Sequence, residues 1–310
     1  MISVRGLSAT IGVAAVLVFA FTISPPAQVQ QRGAAPAAPK QPFELGASEM
    51  RGGDYAGPKV ETPRGLDGKP DLTGYWRPLR EQGKPGGNMG KDEPHFILPF
   101  TPLGKRAQLY TQNHTVDPEA VCVLGGIPRH NASGLPFEIL HTPNRFASLY
   151  VYNTSRRVTI GNNLRLPEHP VPSYFGTAIA HWDGDALVIE TVGLRDSARE
   201  PIWLDENGDP TSDATRVTER WARPDFHHIR VDMTITDPKY YTRPIAFSRT
   251  WVHGDPGIGL TEYACNENNL DAEHLGPGAG AIGPDGTRGY GYEGLRLPPN
   301  PPGPEKYGLN

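Results

Sequence analysis

Glu219 sits between Val217 and Trp221 in a run that alternates apolar and polar residues, and Arg249 sits between Phe247 and Trp251 in another. Residues two apart on a β-strand share a face, so if these apolar neighbours point inward, the carboxylate and the guanidinium do too. A lone buried charge costs several kcal/mol, and an inward Glu and an inward Arg are therefore expected to pair. A register shift or a bulge would instead put both at a rim. Glu190, two residues after Val188, is a third inward candidate on the same logic. His169, His181, Glu190 and Glu219 are the side chains with which acid–base chemistry could be done, since imidazole and carboxyl groups move protons near neutral pH. A Glu beside an Arg has its pKa lowered, which suits an orienting role better than that of a general acid.

Other residues suit binding. Trp182, Trp221 and Trp251 offer flat faces for a sugar or an apolar ligand, with Arg249 beside them; most such aromatics serve as core. Glu262 and Glu267 fall in a run, Glu262–Asn269, that packs two carboxylates and three amides around Cys265. That cluster reads equally as a polar ligand site and as a hydrogen-bonded cap over a barrel end. The loop Leu164–Tyr174 is dense in proline and carries Glu168 and His169, as a lid would. His227 and His228 are adjacent, would face opposite sides of a strand, and read as turn-edge residues. His141, His169 and His181 make a better three-His set, yet nothing in their spacing demands a metal. Hydrolase, zinc-peptidase, P-loop and EF-hand motifs are absent, and no cofactor is expected. Gly276-x-Gly278-x-Gly280 has no strand before it or helix after it, so it is not a dinucleotide loop.

Cys122 and Cys265 are the only cysteines. Neither belongs to a C-x-x-C pair, and in an exported protein an even pair so far apart most simply forms one disulfide.

These groups must be positioned by strands. Phe137–Leu140 and Arg145–Tyr152 are rich in aromatic and β-branched residues. Ile179–Thr191 folds about Asp183-Gly184, the strongest short hairpin signal. Arg216–Arg223, a Pro224-Asp225 turn and His228–Thr236 make a second pair, with Ile229, Val231, Met233 and Ile235 alternating with polar residues. Ile245–Trp251 follows, and no helix of more than two turns is expected. The reading is all-β: an antiparallel meander that closes into a lipocalin-like barrel or stacks as a sandwich, with long Pro/Gly-rich loops.

Composition agrees. Glycine (36) and proline (33) together make up about 22% of 310 residues, nearly twice the usual ~12%. A net charge of −4 gives no electrostatic case for nucleic acid or an anionic membrane as partner. Residues 9–23 are uncharged and too few for a comfortable membrane span, so 1–27 reads as a signal peptide, or else as an uncleaved anchor. Residues 28–64 read as a disordered linker, 65–275 as the β-rich domain and 276–310 as a Gly/Pro-rich tail. The expected location is periplasmic or secreted.

The motifs Asp71-Leu-Thr-Gly-Tyr-Trp76, Trp182-Asp-Gly-Asp185, Thr218-Glu-Arg220, Asp237-Pro-Lys-Tyr-Tyr-Thr-Arg-Pro244 and Glu262-Tyr-Ala-Cys265, in this order, resemble a large family of exported, mostly uncharacterised bacterial proteins. Where that family is expected to carry His before Ser in the loop preceding Arg216, this chain has Thr211-Ser212. The opening D-L-x-G-x-W is also similar to the first strand of lipocalin-like barrels. Three functions stay open: a barrel binding a small organic molecule or glycan fragment, an acid–base enzyme (hydrolase, lyase or isomerase) acting on such a molecule, and a structural envelope protein. The partner expected of the first two is a small molecule.

Overall fold

The computed structural model describes residues 54–79, 87–255, 257, 259–265, 267 and 309. Every described residue belongs to one compact unit, within 42–310. The expected signal segment, most of the linker and nearly all of the tail lie outside the described residues.

Nine strands form a closed barrel in sequence order. They are β1 (Gly74–Pro78), β2 (Phe137–Thr142), β3 (Arg145–Tyr150), β4 (Thr154–Ile160), β5 (Thr177–Asp183), β6 (Ala186–Val192), β7 (Arg216–Asp225), β8 (His228–Thr236) and β9 (Ile245–His253). β1 pairs with β9 through Trp76↔His253 and closes the sheet, so no edge is left open. One step departs from the expected antiparallel meander: β4 and β5 run parallel, at Thr159↔Ile179 and Ile160↔Ala180. A parallel step obliges the chain to travel back along the barrel, and the proline-dense residues 161–176 make that journey.

Alternation along each strand fills the barrel. Trp76, Phe137, Ile139, Phe146, Leu187, Ile189, Trp221, Val231 and Trp251 are each 0% exposed. Trp221 stacks on Trp251 at 5.9 Å, and Phe137 meets Trp251 edge-on at 5.0 Å.

The two ends of the barrel differ. At one end the connections are the turns 143–144, 184–185 and 226–227; at the other are the long links 79–136, 193–215 and 237–244. The first long link carries helix α1 (Pro102–His114) and the single-turn helix α2 (Arg129–Ala132). Helix α1 corrects the expectation of no long helix. Thr101 caps it by accepting from the Gly104 amide at 2.9 Å, and Pro102 opens its first turn. Its buried face is Gly104, Ala107, Gln108 and Thr111, small and polar residues that leave no apolar stripe in the sequence.

Two boundaries also move. β7 runs on to Asp225 through a bulge between Ala222 and Asp225, so the turn is Phe226-His227 rather than Pro224-Asp225. Residues 54–64, expected to be linker, lie against that turn: the Phe226 amide donates to the Val60 carbonyl at 2.9 Å, and Thr62 Oγ1 donates to the Arg223 carbonyl at 2.7 Å.

Candidate functional site

Glu219 points into the barrel and is 0% exposed, but its partner is Arg156 of β4 rather than Arg249. Arg156 Nη1 lies 2.6 Å from Glu219 Oε2, and its Nη2 donates to Thr191 Oγ1 at 2.6 Å. Asn131 of α2 donates to Glu219 Oε1 at 2.5 Å, while Trp221 Nε1 approaches the same oxygen at 3.3 Å. Tyr150 closes the network by donating from its hydroxyl to Asn131 Oδ1 at 2.9 Å. Burial drives the Tyr150 hydroxyl pKa well up, so it acts here as a donor and not as a base. Arg249 is buried too, with its guanidinium against the Gly134 backbone and 5.9 Å from the Trp251 ring. The inward orientation of both charges holds; their pairing with each other does not, because Glu219 takes Arg156, Asn131 and Trp221 as its partners instead.

All four residues of α2 are buried, and they plug the long-link end of the barrel. Arg129 reaches Asp117 at 2.8 Å and Glu119 at 3.0 Å; His130 Nδ1 lies 3.3 Å from Glu119 Oε1. Burial alone would raise the Glu119 pKa, but His130 and Arg129 together bring it below the ordinary value. A cavity of about 40 Å³ adjoins this cluster, lined by Glu119, His130, Tyr152 and both cysteines. Cys122 and Cys265 form the expected disulfide beside it. Glu262 and Glu267 are exposed and stand outside this network.

A cleft of about 600 Å³ opens at the same end of the barrel. The proline-dense loop supplies Pro167, Glu168 and Pro170; the start of β7 supplies Arg216; and the link before β9 supplies Arg243. Arg243 is ion-paired with Glu93, and Asp213, also in the wall, is ion-paired with Lys239. Glu168 and Arg216 form no ion pair or side-chain hydrogen bond with another described residue. Of the lid-like pair Glu168 and His169, both exposed, only the carboxylate lines the cleft.

The remaining candidates scatter. Glu190 lies on the outer face of β6, because Leu187, Ile189 and Thr191 take the inner one; the inward reading of Glu190 is thereby corrected. His181 likewise faces out from β5, opposite Val188, whereas Ala180 and Trp182 turn toward the core. Trp221 and Trp251 are wholly buried and fill the barrel. His141, His169 and His181 are not brought together, and among the described residues no group of three His, Cys, Asp or Glu could hold a metal ion.

Glu119, Arg129, His130, Asn131 and Arg156 were not among the residues singled out from the sequence. The signal available was the polar Arg129-His-Asn131 triplet bracketed by Gly125-Gly126 and Ser133-Gly134, a composition suited to a plug rather than a loop. Arg156 could have been found from its spacing with Val158 and Ile160.

No protein-family model and no curated protein matches this chain. Among solved structures, the chain is similar to a crystal structure of a mutant of the fluorescent protein UnaG, with 10% sequence identity and a TM-score of 0.27 over 59% of this chain and 96% of that one.

Proposed function

We propose that this chain is an exported barrel protein that binds a small organic molecule or glycan fragment at the long-link end. The observation that carries the reading is the cleft of about 600 Å³, which falls in the usual ~300–1,000 Å³ range of small-molecule sites. The barrel interior is taken up by its own aromatic side chains, so a ligand sits at the mouth and not inside. Glu168 and Arg216 give the cleft one acceptor and one donor that no neighbouring side chain has claimed, a pairing suited to a hydroxyl-rich or zwitterionic ligand. Export is supported by the uncharged segment 9–23 and by the disulfide.

The acid–base reading is favoured by the His130–Glu119 contact at 3.3 Å. The adjoining space of about 40 Å³ has room for about one water, not for a sugar or an aromatic acid. Size therefore supports binding at the mouth.

A thermal-shift screen of mono- and oligosaccharides, amino acids and aromatic acids, with and without EDTA, tests this. One ligand class should raise Tm, by the equivalent of about 2.7 kcal/mol at a hundred times Kd. Glu168→Ala and Arg216→Ala should each abolish the shift while leaving unliganded Tm unchanged. A shift that survives both variants would place the ligand elsewhere.

A further inference from the structure

At the short-turn end, both ring nitrogens of His228 contact carboxylates. Nδ1 lies 2.7 Å from Asp225 Oδ1, and Nε2 lies 2.7 Å from Asp54 Oδ1. Ionised carboxylate oxygens only accept hydrogen bonds, and a neutral imidazole has one N–H. Both contacts can be made at once only by the imidazolium. The two partners belong to different segments: Asp225 to the end of β7, Asp54 to the arm of residues 54–64. The arm is also held by the Tyr55 ring, stacked on His227 with centroids 3.4 Å apart, and by the Phe226–Val60 backbone bond.

We infer that His228 is a proton-gated clasp that fastens the 54–64 arm to the barrel, closed when the imidazole is charged and loosened when it is neutral. The charged and titratable groups around it are Asp54 and Tyr55 on the arm, Asp225 and His227 at the turn, Arg223 on β7, Arg77 on β1 and His253 on β9. Burial works against the charged imidazole, but the bonds to Asp54 and Asp225 outweigh it and raise its pKa. The hydrogen bond from His228 in turn lowers Asp54; Asp225, which burial alone would raise, is brought down by His228 and the His227 amide. The clasp is thus complete below the ordinary imidazole pKa of ~6.5 and is lost as pH rises through the raised value. It is lost again in acid, as pH falls through the lowered carboxylate values. The arm supplies Lys59 and Glu61 to one wall of a groove of about 630 Å³ whose other wall includes Arg220 and Arg223. Loosening the clasp dismantles that groove. The clasp is separate from the mouth cleft.

Amide hydrogen exchange of Phe226 in the full chain, corrected for intrinsic exchange and followed from pH 5.5 to 8.5, reads the arm; the His228 ring titration is followed by NMR. Protection of Phe226 should fall by about tenfold across this range, as expected for loss of one charge-assisted hydrogen bond, and the fall should track the His228 titration. Asp54→Asn, at an exposed position, should lower the His228 pKa and flatten the pH dependence at the less protected level. Protection that is flat with pH in the wild type, or a His228 titration unmoved by Asp54→Asn, overturns the clasp.

Discussion

Two sets of charged groups in this barrel, one on the surface of the short-turn end and one buried at the long-link end, are held in opposite ways. At the short-turn end, the ion pairs Arg220–Asp183 and Arg64–Asp185 stand in water, and each pair is about half exposed. At the long-link end, Arg129, Arg156, Glu219, Asp205 and Asp209 are withdrawn from solvent behind two helices and a disulfide. Charge in water is loosely bound and replaceable. Charge behind a plug must be matched partner by partner, because an unmatched member has no water to fall back on. The 79–136 link provides several of those partners, Asn131 for Glu219 and Asp117 and Glu119 for Arg129, while the 193–215 and 237–244 links shape the mouth cleft, in keeping with the tendency of loops on a rigid scaffold to carry function.

The sharpest test of this contrast is the Glu219 network. Glu219→Gln or Arg156→Met leaves a buried charge without its counter-charge, and each should destabilise by about 3–5 kcal/mol in urea unfolding. The double variant should recover part of the loss. Arg249→Met should not couple to Glu219→Gln in a double-mutant cycle, because the two side chains are not partners. Single-variant losses within ~0.5 kcal/mol would mean that the buried end is no more demanding than the exposed one.

What the sequence disclosed follows the same division. Strands β5 to β9 were legible because their inner positions are apolar at a period of two, and Glu219 stood out against that background. β4 was missed because Thr-Ser-Arg-Arg-Val-Thr-Ile places Arg156 on the inner face, where a pattern reader expects an apolar residue. The partner of Glu219 was beyond reach for a related reason. Which of two inward arginines lies across the barrel depends on strand order and on the parallel β4–β5 step, neither of which leaves a local mark. Helices α1 and α2 escaped because the faces they bury are polar or small. The mouth cleft is built from three separate links, and only its proline-dense wall was noticeable in advance.

A smaller effect probes how tightly α1 is docked at the long-link end. A Cβ at Gly104 would run into the Tyr240 carbonyl oxygen, so any side chain there must push the helix away from the 237–244 link. Gly104→Ala should cost about 1–3 kcal/mol, although Ala is the better helix former by about 1 kcal/mol. A gain in Tm would show that α1 is loosely seated.

The pH dependence of the buried end has a definite sign. Asp205 and Asp209 are 0% and 2% exposed. Burial raises both pKa values, and for Asp209 the neighbouring Asp205 charge raises it further. Asp205 accepts the Met89 and Asn207 amides at 2.8 and 2.9 Å and is the ionised member, so Asp209 holds the proton. A raised carboxyl contributes stability in full below its ordinary pKa, ~3.9, and loses that contribution as pH rises through the folded value. Asp209→Asn keeps the neutral form at every pH. It should match the wild type at pH 4 and exceed it at pH 8, by on the order of 1 kcal/mol. Equal urea midpoints at pH 8 would mean that the pair is already relaxed by solvent.

The smallest expected effect belongs to the exposed end and completes the comparison. Arg220 Nη1 lies 2.6 Å from Asp183 Oδ2, as short a contact as Arg156 to Glu219, yet the side chains are 47% and 64% exposed. If distance alone set the value of an ion pair, both would matter equally. In water the attraction is screened and ordering two long side chains opposes it, so such pairs are worth under ~1 kcal/mol. Arg220→Ala should therefore shift the urea midpoint by no more than the equivalent of about 0.5 kcal/mol, and about 0.5 M salt should erase that shift. The loss from Arg156→Met should persist in the same salt, because its partner is not reached by counter-ions. A salt-resistant loss at Arg220 would mean that an exposed pair is held as firmly as a buried one, and the contrast would then rest on the plug alone.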